Sequence, residues 1–96
     1  MASAAAMALL KADLGRTGTI PDDVVMLMEQ KLDAAIPALL ERGIAIDESN
    51  PLDMDLLVMY AAWLYRKRDT GAELPMMIRQ AINNAQVSRA TKEEQT

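Results

Sequence analysis

Asn50-Pro51-Leu52-Asp53-Met54-Asp55-Leu56-Leu57-Val58-Met59-Tyr60-Ala61-Ala62-Trp63-Leu64-Tyr65-Arg66-Lys67-Arg68 reads as one helix, and that reading decides the fold. Asn50 is a good N-cap, because its side-chain oxygen can accept one of the first unpaired backbone N–H groups. Pro51 fits the first helical position, where no N–H is needed. Asp53 and Asp55 complement the positive end of the helix dipole, and Arg66, Lys67 and Arg68 complement the negative end. Leu52, Leu56, Met59, Tyr60, Trp63 and Leu64 recur at helical spacing and predict a wide buried face. Gly71 is expected to close the element.

Outward from this helix, the rest of the chain carries the same punctuation. On the N-terminal side, Thr19 can cap a second helix, Pro21 sits near its first position, and Asp22 and Asp23 suit its first turn. Val25, Met28, Leu32, Ile36 and Leu39 give this long element an amphipathic stripe, and Gly43 ends it. Pro37 removes a helical hydrogen bond and crowds the preceding turn, so a kink or a break is expected there. A first helix runs from about Ala4 to Leu14, capped by Ser3, ended by Gly15 and striped with Leu9, Leu10 and Leu14. A fourth runs from near Pro75 to about Val87, with Ile78, Ala81, Ile82 and Ala85 facing inward. Residues 88–96 lack an apolar anchor and are expected to form a flexible tail. No alternating β pattern competes. The expected fold is all-α, a small bundle of about four helices in a single domain over residues 1–87. Its core should include Leu32, Ile36, Leu56, Tyr60, Trp63, Leu64, Ile78 and Ile82.

Composition narrows what such a domain can do. At 96 residues the fold buries only about 60–65% of the surface its unfolded chain exposes, so partners or cross-links often add stability at this size. Cysteine and histidine are both absent, which removes disulfides, soft metal ligands and every His- or Cys-based catalytic arrangement. No cofactor or metal is expected. The acidic residues form no recognisable acid/base pair, and Asp53 and Asp55, two positions apart on a helix, point about 200° away from each other. The expectation is therefore a non-enzyme. The net charge of −4 argues against a freestanding DNA-binding domain. That charge lies wholly in residues 1–48, which carry four basic and eight acidic groups; residues 49–96 carry six of each. No apolar run reaches membrane-spanning length, and the opening residues lack the basic region of a signal peptide, so a cytoplasmic chain with no membrane association is expected.

Two features are candidates for contact with a partner. The basic trio Arg66, Lys67 and Arg68 reads either as a solvated helix end or as a contact to an acidic neighbour or to phosphate. Methionine occurs eight times, and it serves either as adaptable core filling or as a deformable binding surface. Met76 and Met77 on the fourth helix, with Val24, Met26 and Leu27 on the second, lie off the main stripes. More apolar surface than a small domain can bury points to an oligomer or an adaptor.

Several segments resemble the portal-docking head-tail connector family of tailed bacteriophages and prophages. Leu10-Lys11-Ala12-Asp13-Leu14-Gly15 is similar to the family's first helix, and Asp22-Asp23-Val24-Val25 leads into a long second helix ending in Leu40-Glu41-Arg42-Gly43-Ile44. The most specific likeness runs from Asp55 through Tyr60, Trp63, Tyr65 and the basic trio to Gly71, and on through Leu74-Pro75-Met76-Met77-Ile78-Arg79 to Asn83-Asn84. It covers about residues 9–87; the alanine-rich start, Ala2 to Ala8, has no counterpart. The resemblance implies a structural virion protein at the head-tail interface, assembled in the host cytoplasm. Its members would form a ring homo-oligomer, dodecameric by resemblance, that docks on the portal protein and receives the next tail adaptor or completion protein. DNA would pass through the channel without sequence-specific binding, for which an acidic subunit is suited. In that setting Arg66, Lys67, Arg68, Met76 and Met77 are the candidate subunit or portal contacts. The alternative is a generic helical adaptor or regulator that binds one protein through its excess apolar surface. A small acidic DNA mimic is weaker, because the charges are mixed along helices two to four.

Overall fold

The computed structural model describes residues 3–16, 18–67 and 73–95, with residues 90–95 as backbone only. Four helices follow one another: α1 (Ala4–Asp13), α2 (Asp22–Glu41), α3 (Pro51–Lys67) and α4 (Met76–Gln95). Among the described residues there is no strand, and the fold is a small all-α bundle.

Short-range chemistry sets the helix ends. The Ser3 hydroxyl accepts the Ala6 N–H at 3.1 Å and caps α1. Asn50 caps α3 in the same way, its side-chain oxygen accepting the Leu52 N–H at 3.0 Å. α1 and α2 both close on a left-handed glycine, Gly15 at φ +71° and Gly43 at φ +83°. After α2, Gly43 donates to Leu40 at 2.9 Å and Ile44 donates to Leu39 at 3.0 Å, the paired bonds of a Schellman closure. Ile44 is thereby delivered, fully buried, into the core. α2 begins differently from expectation. Its N-cap is Pro21, with no side-chain cap bond, so Thr19 does not cap it.

α3 is the axis of the bundle. α1, α2 and α4 all pack on it, whereas among the described residues α4 packs on no other helix. This explains why α3 is buried nearly all round rather than along one stripe: Met54, Leu56, Leu57, Val58, Tyr60, Ala61, Ala62 and Tyr65 are all buried. From the expected core list, Leu32, Leu56, Tyr60, Ile78 and Ile82 are buried, while Ile36, Trp63 and Leu64 pack half-buried at the core's edge. Leu52, expected on the buried face, is 77% exposed, while Asp53 and Met54 of the same turn are buried. On α1 the inward residues are Ala6 and Leu10, with Met7 and Leu14 beside them, and Leu9 faces outward.

Two helix extents differ from expectation. Of the kink or break expected at Pro37, the break does not occur: α2 is a single helix from Asp22 to Glu41. Pro37 is exposed, and buried Leu32, Ala35 and Leu39 fix the helix on both sides of it, so packing outweighs one missing hydrogen bond. The fourth helix, expected to end at about Val87 before a tail over residues 88–96, continues to Gln95. The segment has no Gly or Pro and is rich in good helix formers, and a polar anchor at Arg89 replaces the apolar one whose absence suggested a tail. The described molecule measures 47 × 29 × 19 Å, with a radius of gyration of 13.9 Å. A compact domain of this length would give about 12.5 Å; the excess follows from α4 lying against a single neighbour.

Candidate functional site

The basic end of α3 meets the end of α1. Arg66 donates to the backbone carbonyl of Asp13 at 3.2 Å and pairs with its carboxylate at 3.5 Å. Asp13 is the last residue of α1, so Arg66 supplies a cation to the negative pole of a neighbouring helix as well as its own. Arg16, just past α1, donates to the Tyr65 hydroxyl at 3.1 Å. Lys67 places its ammonium 4.6 Å from the centre of the Trp63 ring, and Tyr60 meets that ring edge-on at 5.5 Å. The Trp63 indole N–H is buried with no acceptor among the described residues. Arg66 and Lys67 therefore have intramolecular partners, yet the Arg66 side chain remains 59% exposed. Arg68, the third member of the trio, lies outside the described residues.

The described methionines differ in burial, with Met7 and Met59 half-buried against the core. Met28 and Met54 are core. Met76 and Met77, at the start of α4, are 73% and 72% exposed, and Met26 on α2 is also exposed. Val24 and Leu27, expected as spare surface, instead pack half-buried against the core. The first turn of α4 is thus an apolar knuckle standing in solvent. Arg79 follows it, more than half exposed and loosely paired with Glu73 at 3.8 Å.

At the opposite end of α3 the structure shows a site that sequence reasoning missed. Asp53 is 95% buried, and Arg89 of α4 holds it with Nη2 at 3.0 and 3.1 Å from its two carboxylate oxygens. The Asp47 N–H donates to the same carboxylate at 2.9 Å, and Arg89 also donates to the Ala45 carbonyl at 3.2 Å. One ion pair thus pins together the α2–α3 connection, the first turn of α3 and the far half of α4. Gln86 adds a bond to the Arg42 carbonyl at 2.6 Å. A signal for this existed in the sequence: Ile78, Ile82, Ala85 and Arg89 fall at steps of four, three and four, so Arg89 extends the inward stripe of α4. Asp53 and Asp55 do part company, Asp53 turning inward to Arg89 and Asp55 remaining exposed.

Beside this pin lies an open groove of about 660 Å³ between the start of α3 and the second half of α4. Leu52, Leu56, Met59, Ala81 and Ala85 supply its apolar lining, and Asp47, Asp53, Asp55 and Arg89 are its charged groups. Three carboxylates against one guanidinium leave it with a charge of −2. The Asp47 carboxyl is held below the ordinary carboxylate value by the Ser49 hydroxyl, and further by the Ser49 N–H, both of which donate to it. Among the described residues no group of three His, Cys, Asp or Glu side chains converges as metal ligands would, and no helix is long and apolar enough to cross a membrane.

No protein-family model matches the chain. No curated protein and no solved structure is similar to it at a significant level. Function is therefore read from the residues themselves.

Proposed function

We propose that this chain is a non-enzymatic structural subunit, a head-to-tail connector protomer of a tailed phage or prophage. It would act in a ring of identical copies between the portal and the next tail protein, extending the DNA channel. The observation that carries the assembly part of this reading is the pair Met76–Met77, each more than 70% exposed, with the more than half exposed Arg79 following on the same helix. Methionine and arginine are enriched at protein interfaces, and adjacent large apolar side chains left in solvent by a small domain favour a protein partner. The likeness of residues 55–71 and 74–84 to the connector family supplies the kind of assembly. Its two most specific parts are the central helix of this bundle and the exposed knuckle. On this reading the chain works in the virion at the head-tail interface, after assembly in the host cytoplasm, and DNA slides past without specific contact.

The test is assembly with and without the portal protein encoded alongside. Native mass spectrometry over a range of concentrations, with electron microscopy of the mixture, should show a closed ring seated on the portal. A chain that stays strictly monomeric in both conditions overturns the proposal. A small complex of fixed, low stoichiometry with some other protein would favour a generic adaptor instead.

A further inference from the structure

We infer that the groove between α3 and α4 receives the methionine knuckle of a second copy of this chain; the inference rests on the self-assembly part of the reading above. The two surfaces lie at opposite ends of α3, a 17-residue helix about 25 Å long. At one end Met76 and Met77 stand exposed, and the guanidinium groups of Arg79, on the same helix, and of Arg66, at the end of α3, are more than half exposed. At the other, the groove carries two negative charges around a floor of Leu52, Leu56 and Met59. Each end thus complements the other in charge and in apolar character, and neither can satisfy the other within one molecule.

The groove's volume falls within the range of about 300–1,000 Å³ in which pockets enclose a whole small ligand, so it has room for an unbranched, adaptable side chain such as methionine. The Arg66–Asp13 and Arg79–Glu73 pairs leave both guanidinium groups more than half exposed. Pairs of this kind are worth little and exchange readily for carboxylates on an incoming subunit. On the receiving side, Asp55 makes no hydrogen bond or ion pair among the described residues, and Asp47 is exposed, its carboxylate accepting hydrogen bonds from Ser49. Docking leaves the buried Asp53–Arg89 pair in place as the rigid back wall of the groove.

The chain has no cysteine, so introduced thiols are unique. Leu52→Cys and Met77→Cys both fall at exposed positions, and within one molecule they are too far apart for a short bis-maleimide to bridge. Mixing the two single variants should give a cross-linked dimer, and neither variant alone should. Asp55→Lys and Arg79→Glu should each weaken self-association roughly threefold to tenfold at low salt. If the chain assembles but the mixed variants do not cross-link, or each single variant cross-links to itself as well as the mixture does, this contact is wrong and the ring reading survives. The double variant separates the two ideas from the other side. A covalent ladder agrees with both; a product that stops at a closed dimer keeps the contact and sinks the ring. A chain monomeric at every concentration sinks both.

Discussion

Two regions of this molecule hold their helices by different means. α1, α2 and α3 share an apolar core in which Leu10, Met28, Leu32, Leu39 and Leu57 are fully buried. Among the described residues, α4 has only Ile78 and Ile82 buried and packs on α3 alone, and it is secured at its far half by the Arg89–Asp53 pair. The first region rests on non-directional burial, which tolerates modest rearrangement. The second rests on a few directed bonds, which do not. Local stability should differ accordingly, with α4 drawn from the low end of the range and the three-helix unit from the high end.

The strongest way to break the first region is Leu57→Ala. Removing a fully enclosed leucine at the axis should cost about 2–5 kcal/mol, a large part of the total for a domain of this size. Urea denaturation should show the midpoint falling with all helices lost together. Survival of near wild-type stability would mean that α3 is not the axis.

A smaller effect is expected from Arg89→Ala, which leaves the Asp53 carboxylate buried without its cation. Loss of one partner of a buried pair costs about 3–5 kcal/mol when both are enclosed. Arg89 is 30% exposed, so solvent screening should bring the loss to about 2 kcal/mol. Hydrogen exchange sharpens the comparison: protection should fall in α4 and in the α2–α3 connection, while α1 and the middle of α3 keep theirs. Replacing both partners together, Asp53→Leu with Arg89→Met, should recover most of the loss. Equal loss of protection across all four helices would erase the distinction between the two regions.

The smallest effect concerns the loop that leads into the pin. Asp47 titrates below its ordinary value because Ser49 donates to its carboxylate. A carboxyl whose folded pKa is depressed contributes stability above its unfolded pKa and loses it as pH falls through the lowered folded value. Ser49→Ala should therefore lower the melting temperature slightly near pH 7, and the difference from wild type should vanish once Asp47 is protonated in both. Carboxyl NMR titration would show the Asp47 midpoint rising in the variant. A pH-independent difference would assign the effect to the loop backbone instead.

What could be read in the sequence follows the range of the forces involved. Ser3, Gly15, Gly43 and Asn50 mark helix ends correctly because caps and left-handed closures are decided within a few residues. The central helix was legible as a helix but not as an axis. A stripe at 3.6 spacing describes one contact face, and only the arrangement of three neighbours shows that Leu57, Val58 and Ala61 are covered too. Pro37 does not break α2, because the burial of Leu32, Ala35 and Leu39 around it outweighs the local penalty. The far half of α4 was missed because apolar anchors were sought where the anchor is a guanidinium. Of the candidate contacts, Met76 and Met77 stand exposed, since nothing in their own stripe covers them. Lys67 proved to be engaged with Trp63, four residues back on the same helix, a spacing that the sequence displays; Arg66 pairs with Asp13, 53 positions away, which no local pattern encodes.

Trp63 is the one tryptophan of the chain, half-buried at the basic end with the Lys67 ammonium over its ring. Indole emission responds to both solvent contact and a nearby cation, so the protein carries its own optical reporter at this end. A subunit settling there removes water from the ring and draws charge away from it, which shifts the emission to shorter wavelength and changes its intensity. Release of α4 at the Arg89 end happens a helix length away and should leave the signal nearly still. Fluorescence of the unlabelled chain can therefore follow association and the loosening of α4 as separate events in one cuvette.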